Sequence, residues 1–169
     1  MTTRGRALEP DEQMFATACA CMYAARSLHG RIELANDIRG VTSALFTNLA
    51  FSVELLLKCI LEINALPRSR QHRLLDLYHL LPKPEQEILS HRFTQAIESS
   101  WFYQNIKGAG IPVIDDIEIA LNEANNAFVR FRYSYEFDRP NTPGLTEIVR
   151  VLIARVIEIR PDFEDLSKL

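Results

Sequence analysis

Between Gly40 and Ile63 the chain carries a run that is apolar on nearly every side of a helix, through Leu45, Phe46, Leu49, Phe51, Val53, Leu55, Leu56, Leu57, Ile60 and Leu61. A helix with a single apolar stripe lies at a surface, whereas one that is apolar all round has to be enclosed by other elements. The remainder of the chain is therefore obliged to surround it. Pro67 bounds the run, because its ring cannot continue a helix. Within the run Glu54, Lys58 and Glu62 recur at four-residue steps and are placed to pair along one ridge, and Asn48 and Ser52 form a second, shorter polar step. Any of these that is buried must find a partner, since an unpaired polar group out of water costs several kcal/mol, about 2–7.

The other segments also carry helical periods. Asp11 is suited to cap a first helix that stops near Gly30 and turns Met14, Ala18, Met22 and Ala25 to one face. Leu74, Leu75, Leu77, Leu80 and Leu81 make a short helix before Pro82. Pro84 opens a further helix, along which Ile88, Leu89, Phe93, Ala96, Ile97 and Trp101 keep a 3.6-residue spacing. A loop is expected from about Asn105 to Ile114, and its Lys107-Gly-Ala-Gly110 lacks the spacing of a phosphate loop, so it reads as a turn. Asp115-x-x-Glu118 has the form of a capping box for a helix with an inward stripe of Ile117, Leu121, Ala124, Phe128, Phe131 and Tyr135. The last helix, from about Leu145 to Ile159, turns Ile148, Val149, Leu152, Ile153 and Val156 inward and ends at Pro161. With no strand pair, repeat or linker in view, residues 1–169 are expected to form one all-α domain, core about 10–160, built as an antiparallel bundle of five or six helices.

The net charge of −3 provides no global basic field, so attraction to a polyphosphate has to be local. Arginine outnumbers lysine, and its planar fork suits bidentate phosphate contacts. The densest positive segment is the connector Pro67–Arg73, which holds Arg68, Arg70, His72 and Arg73. It is either a solvated loop or an RNA-phosphate contact; no aromatic residue interleaves it, so base stacking is not indicated there. Cys19, Cys21 and Cys59 form no C-x-x-C pair and read as reduced core residues. The start of the chain leads into acidic Glu9-Pro-Asp-Glu12 rather than a signal-peptide core, and Glu54 and Lys58 interrupt the best membrane candidate. A cytoplasmic protein away from membranes is expected. No histidine pair has zinc spacing, and neither a nucleophile elbow nor a dinucleotide glycine pattern occurs, so no metal or cofactor is expected.

Arg132-Tyr133-Ser134-Tyr135-Glu136 places a guanidinium and a carboxylate one helical turn apart, and Arg132 shares the face of Phe128. Two readings stand side by side. Either Arg132 and Glu136 form an ion pair that closes the bundle, or Arg132 lines a cleft with Glu136 or Glu54 fixing its direction.

Three stretches together resemble the HEPN superfamily of helical bundles: Asn48-Leu-Ala-Phe-Ser52-Val-Glu54-Leu-Leu-Leu-Lys58, His72-Arg-Leu-Leu-Asp-Leu-Tyr78 and Phe131-Arg-Tyr-Ser-Tyr-Glu136. The resemblance implies a homodimer that binds RNA or nucleotide phosphates, serving as a metal-independent RNase of a toxin–antitoxin or phage-defence system, or as the non-catalytic partner of a nucleotidyltransferase or other effector. RNase members carry Arg-x4–6-His, usually with a polar residue after the arginine. Here only Arg73 and His79 have that spacing, and Leu74 stands in the polar position. About one such match is expected by chance in a chain of this composition. The resemblance therefore directs the catalytic roles to His72, as acid and base, and Arg132, with Arg73 and His79 as weaker candidates. Arg68, Arg70 and Arg73 would bind phosphate, and Glu54, Lys58, Tyr133 and Glu136 would support the site.

Overall fold

The computed structural model describes residues 7–31, 38–125 and 144–168. Those residues form α1 (Pro10–His29), α2 (Ile38–Ile63), α3 (Leu74–His79), α4 (Lys83–Ser99), α5 (Trp101–Gly108), α6 (Ile117–Ala124), α7 (Leu145–Ile159) and a closing 3-10 helix, η1 (Pro161–Ser167), with no strand among them. The all-α class is as the periodicities require, but the described residues hold seven α-helices rather than the expected five or six, because α5 separates from α4 at Ser100.

Helix α2 lies at the hub. It packs along α1 on one side, against α7 on another, and against α3 near its C-terminal end, while α4 closes over α7 and α6. Leu45, Leu49, Val53, Leu56, Leu57, Ile60 and Leu61 are all buried, and each fully enclosed leucine or isoleucine contributes roughly 1.5–3 kcal/mol of apolar burial. The polar residues of the hub are satisfied. Ser52, fully buried, donates its hydroxyl to the Ala18 carbonyl at 2.9 Å and so ties α2 to α1, and Asn48 donates to the Ala44 carbonyl at 2.8 Å. By length and composition Gly40–Ile63 would also cross a bilayer, which corrects the expectation that Glu54 and Lys58 break up such a run; 61% of its apolar window is buried inside the fold.

Several element ends differ from the sequence reading. Glu9, not Asp11, precedes the first turn of α1, and its backbone N–H donates to the Glu12 carboxylate at 2.9 Å. Asp11 sits inside that turn, where its carboxylate accepts from Arg160 at 2.5 Å. The cap of α6 is Asp116 rather than Asp115: its Oδ1 accepts from the N–H groups of Glu118 and Ile119 at 2.8 and 3.0 Å. The helix begun at Lys83 ends at Ser99, because Ser100 is extended (φ −78°, ψ 117°), and α5 starts afresh. Trp101 is consequently 80% exposed instead of continuing the inward stripe. Serines at 99 and 100 offer the backbone competing hydrogen bonds that favour such a break. The loop expected from Asn105 begins only after Gly108, because α5 runs through Asn105 and Lys107, and the turn that follows has Gly110 at φ +76°.

Pro161 ends α7 and also starts η1, since a proline ring is preset for a first helical position. Phe163 of η1 is fully buried against Phe15 of α1, ring centres 5.4 Å apart, with the Arg160 guanidinium 4.2 Å above its ring.

All three cysteines are free thiols, with Cys19 and Cys59 buried. Burial pushes Cys19 from the ordinary 9.0 up to about 11; burial, aided by the neighbouring Asp11 carboxylate, pushes Cys59 up to about 12. In the unfolded chain both ionise near the ordinary value, so their contribution to stability is complete below about pH 8.5 and is lost as pH rises through the folded values. At pH 8 a thiol reagent should therefore label at most Cys21 in the folded protein and all three residues in guanidinium chloride. Rapid labelling of all three without denaturant would show that the α1–α2 interface opens.

Candidate functional site

The site is assembled around a carboxylate held inside the hub helix. Glu54 is 7% exposed, and one of its oxygens, Oε1, receives two nitrogens: Lys58 Nζ at 2.8 Å and His72 Nδ1 at 2.9 Å. The first contact follows from the four-residue step along α2. The second spans 18 residues and depends on the connector folding back over the end of α2. Since both nitrogens share one oxygen, they lie within about 6 Å of each other.

A carboxylate only accepts hydrogen bonds, so the proton of the neutral imidazole is placed on Nδ1 and the lone pair on Nε2. The His72 side chain is 78% exposed, which leaves that lone pair facing solvent. A ring oriented from behind by an enclosed carboxylate, with its other nitrogen open to a ligand, is the arrangement a proton-transferring histidine requires. The ring precedes α3 and does not begin it, because the first helical residue is Leu74. The start of α3 is held from a distance: Leu75 N–H donates to the Oδ1 of buried Asn125, just after α6, at 2.8 Å.

The connector arginines have separate surroundings. Arg68 forks onto Glu62, Nε to Oε2 at 2.9 Å and Nη2 to Oε1 at 2.7 Å, and the guanidinium holds the Glu62 carboxyl below its usual range. Thus Glu62 leaves the ridge of Glu54 and Lys58 to pair with the connector. Arg73 stands 3.6 Å from Asp76. Arg70 is exposed and makes no ion pair among the described residues. A cleft of about 370 Å³ beside Lys58 is lined by Met14, Thr17, Leu55, Leu61, Arg68 and Ser69, among others, so the basic connector forms one wall of a concave surface.

Arg73 and His79 do not share a partner. They occupy the two ends of α3, about 9 Å apart along its axis, and His79 approaches Glu118 of α6 at 3.4 Å instead. Nearby, Gln86 donates to the carbonyls of Leu81 at 2.7 Å and His79 at 3.3 Å, and the Gln86 carbonyl accepts from Tyr78 at 2.7 Å, so the α3–α4 junction is held by its own hydrogen bonds. Arg132, Tyr133 and Glu136 lie outside the described residues.

Two ion-pair systems escape sequence reasoning. Arg155 of α7 forks onto Glu85 of α4 at 2.9 and 2.6 Å and touches Glu158 at 3.0 Å, and Glu158 also receives Arg92 at 2.7 Å. Arg160 joins Asp11 to Asp162. Their members stand as many as 149 residues apart, and nothing local in the chain announces the pairing. Among the described residues no three His, Cys, Asp or Glu side chains gather as a metal site. No family model, curated protein or solved structure matches the chain.

Proposed function

We propose that this protein is a cytoplasmic, homodimeric HEPN-like domain that binds RNA at the His72 corner and cleaves it without a metal. The observation that carries this reading is the Glu54–His72 contact at 2.9 Å behind an imidazole that is 78% exposed. In the proposed reaction His72 Nε2 takes the proton of a ribose 2′-hydroxyl, which attacks the adjacent phosphorus and displaces the 5′-oxygen of the next nucleotide. The proton returns to the leaving oxygen, and a cyclic phosphate remains. The carboxylate of Glu54 fixes the ring and stabilises its charged form between the two transfers. Arg70, two residues before His72 and without an ion pair among the described residues, is the cation proposed for the phosphate, with Lys58 supporting Glu54; Arg132 is assigned to the same phosphate by the family resemblance alone.

The test is cleavage of a labelled RNA by the purified protein in EDTA, with products scored for a 2′,3′-cyclic phosphate. Cyclic-phosphate ends formed in EDTA support the reading; RNA left intact at high enzyme excess overturns it. A second reading, a non-catalytic module that binds a nucleotidyltransferase or another effector, is favoured by the pairing of Arg68 and Arg73 with Glu62 and Asp76. Both arginines already have intramolecular anions, and Leu74 stands in the family's polar position. Intact RNA together with co-purification of a neighbouring gene's product would favour this module.

A further inference from the structure

A second cleft, of about 590 Å³, lies between α1, the first half of α2 and α7, and uses α1 residues other than those beside Lys58. Its floor is aliphatic: Leu45 and Leu49 of α2 face Ile153 and Ile157 of α7, with Met22 of α1 beside them. Its rim carries Arg26, His29 and Arg150, all exposed. None of the three forms an ion pair among the described residues, and no acidic side chain among those residues lines the cleft. Elsewhere in the described fold most arginines sit against carboxylates, as Arg68, Arg155 and Arg160 do. Two arginines that form no ion pair among the described residues, with His29 beside them above an aliphatic floor, therefore leave positive charge that a ligand anion would meet.

The floor also discriminates among anions. A nucleobase needs several donors and acceptors along its edge, and below the charged rim the hydroxyls of Thr146 and Ser167 are the main polar groups, Ser167 already donating to the Glu164 carbonyl at 2.6 Å. The hydroxyl of Tyr23, which lines the cleft, already donates to the Ser167 carbonyl at 2.6 Å, and the buried Cys19 thiol is a weak donor at best. An alkyl chain needs only aliphatic contact. The volume falls in the range of small-molecule sites, about 300–1,000 Å³. We infer that the α1–α2–α7 cleft binds a medium-chain carboxylate, its chain along Leu45, Leu49, Ile153 and Ile157 and its head group at Arg26, His29 and Arg150.

The test is calorimetric titration of the full chain with sodium decanoate, with 1-decanol, acetate and adenosine monophosphate as comparators. Decanoate should bind at least tenfold more tightly than each of the three, because decanol lacks the charge, acetate the chain and the nucleotide a matching body. Arg150→Glu, on an exposed position, should weaken decanoate at least tenfold, and Ala154→Trp, at the exposed mouth, should remove binding; circular dichroism confirms that both remain helical. Equal binding of decanol, tighter binding of the nucleotide, or no decanoate binding overturns the inference. So does a dimer that Ala154→Trp disrupts while decanoate leaves it unchanged, an outcome that would assign the cleft to a second copy of the chain.

Discussion

In the proposed cleavage reaction, His72→Ala should lower the rate by roughly 100- to 10,000-fold, the usual contribution of a positioned proton-transfer group, while leaving the melting curve nearly unchanged. The side chain is 78% exposed and fills no core space, and substitutions of that kind stay within about 0.5 kcal/mol. Its removal does not strand Glu54, because Lys58 still donates to the same oxygen at 2.8 Å. A merely structural histidine would show the reverse pattern, a loss of stability with little specific effect on turnover. Glu54→Gln keeps the shape of the carboxylate but removes its charge and its demand for an N–H from Nδ1, so the ring loses its fixed tautomer. A further 10- to 100-fold range, about the effect of losing a group that orients a functional histidine, is expected for that variant alone. Single-turnover cleavage in EDTA, run beside thermal melts of the same preparations, separates the two cases. A His72→Ala protein that cleaves at the parent rate would remove His72 from the mechanism.

The second large effect concerns stability. Arg155→Ala should cost about 3 kcal/mol, at the lower end of the range for breaking an enclosed ion pair, because water still reaches its edge. The two side chains are 14% and 12% exposed, and the fork onto Glu85 is geometrically complete. The Glu85 hydrogen bonds hold Arg155 protonated even more firmly than a free guanidinium. Removing the guanidinium leaves the largely buried Glu85 carboxylate between α4 and α7 without its main donor, and Glu158 loses one of its two arginines at the same time. Since 1 kcal/mol moves the midpoint of a domain this size by about 2–4 °C, the melting temperature should fall by roughly 6–12 °C. The double variant Glu85→Leu/Arg155→Met should recover most of that loss, because replacing both members removes the stranded charge. A single variant that melts with the parent would show that water, and not the protein, solvates Glu85.

How far each feature was legible depended on the sequence distance between its parts. The hub helix is visible directly, because Leu45 to Leu61 are apolar on every side and only enclosure suits such a helix. The Glu54–Lys58 contact is equally local, one helical turn. Even near-neighbour signals divided: Asp115 and Asp116 both suit a cap, and only the path of the chain into α6 selects Asp116. The inward period through Trp101 failed for a similar reason, since Ser100 turns the backbone before the stripe can continue. The family resemblance grouped Glu54 with His72, but not the atom that joins them. The cleft at Arg26 and Arg150 left no pattern in the chain.

By itself, then, the order of residues determined the helical periods of most segments, the enclosure of α2 and the pairs one turn apart, because helical spacing converts sequence distance into spatial distance without reference to anything else. Tertiary structure alone decided which charges meet: Glu85 with Arg155 across 70 residues, Asp11 with Arg160 across 149, and Glu54 with His72 across a connector. Charged side chains of opposite sign are interchangeable partners until packing fixes their positions, and that packing is set by apolar surfaces that carry no information about which arginine should find which carboxylate.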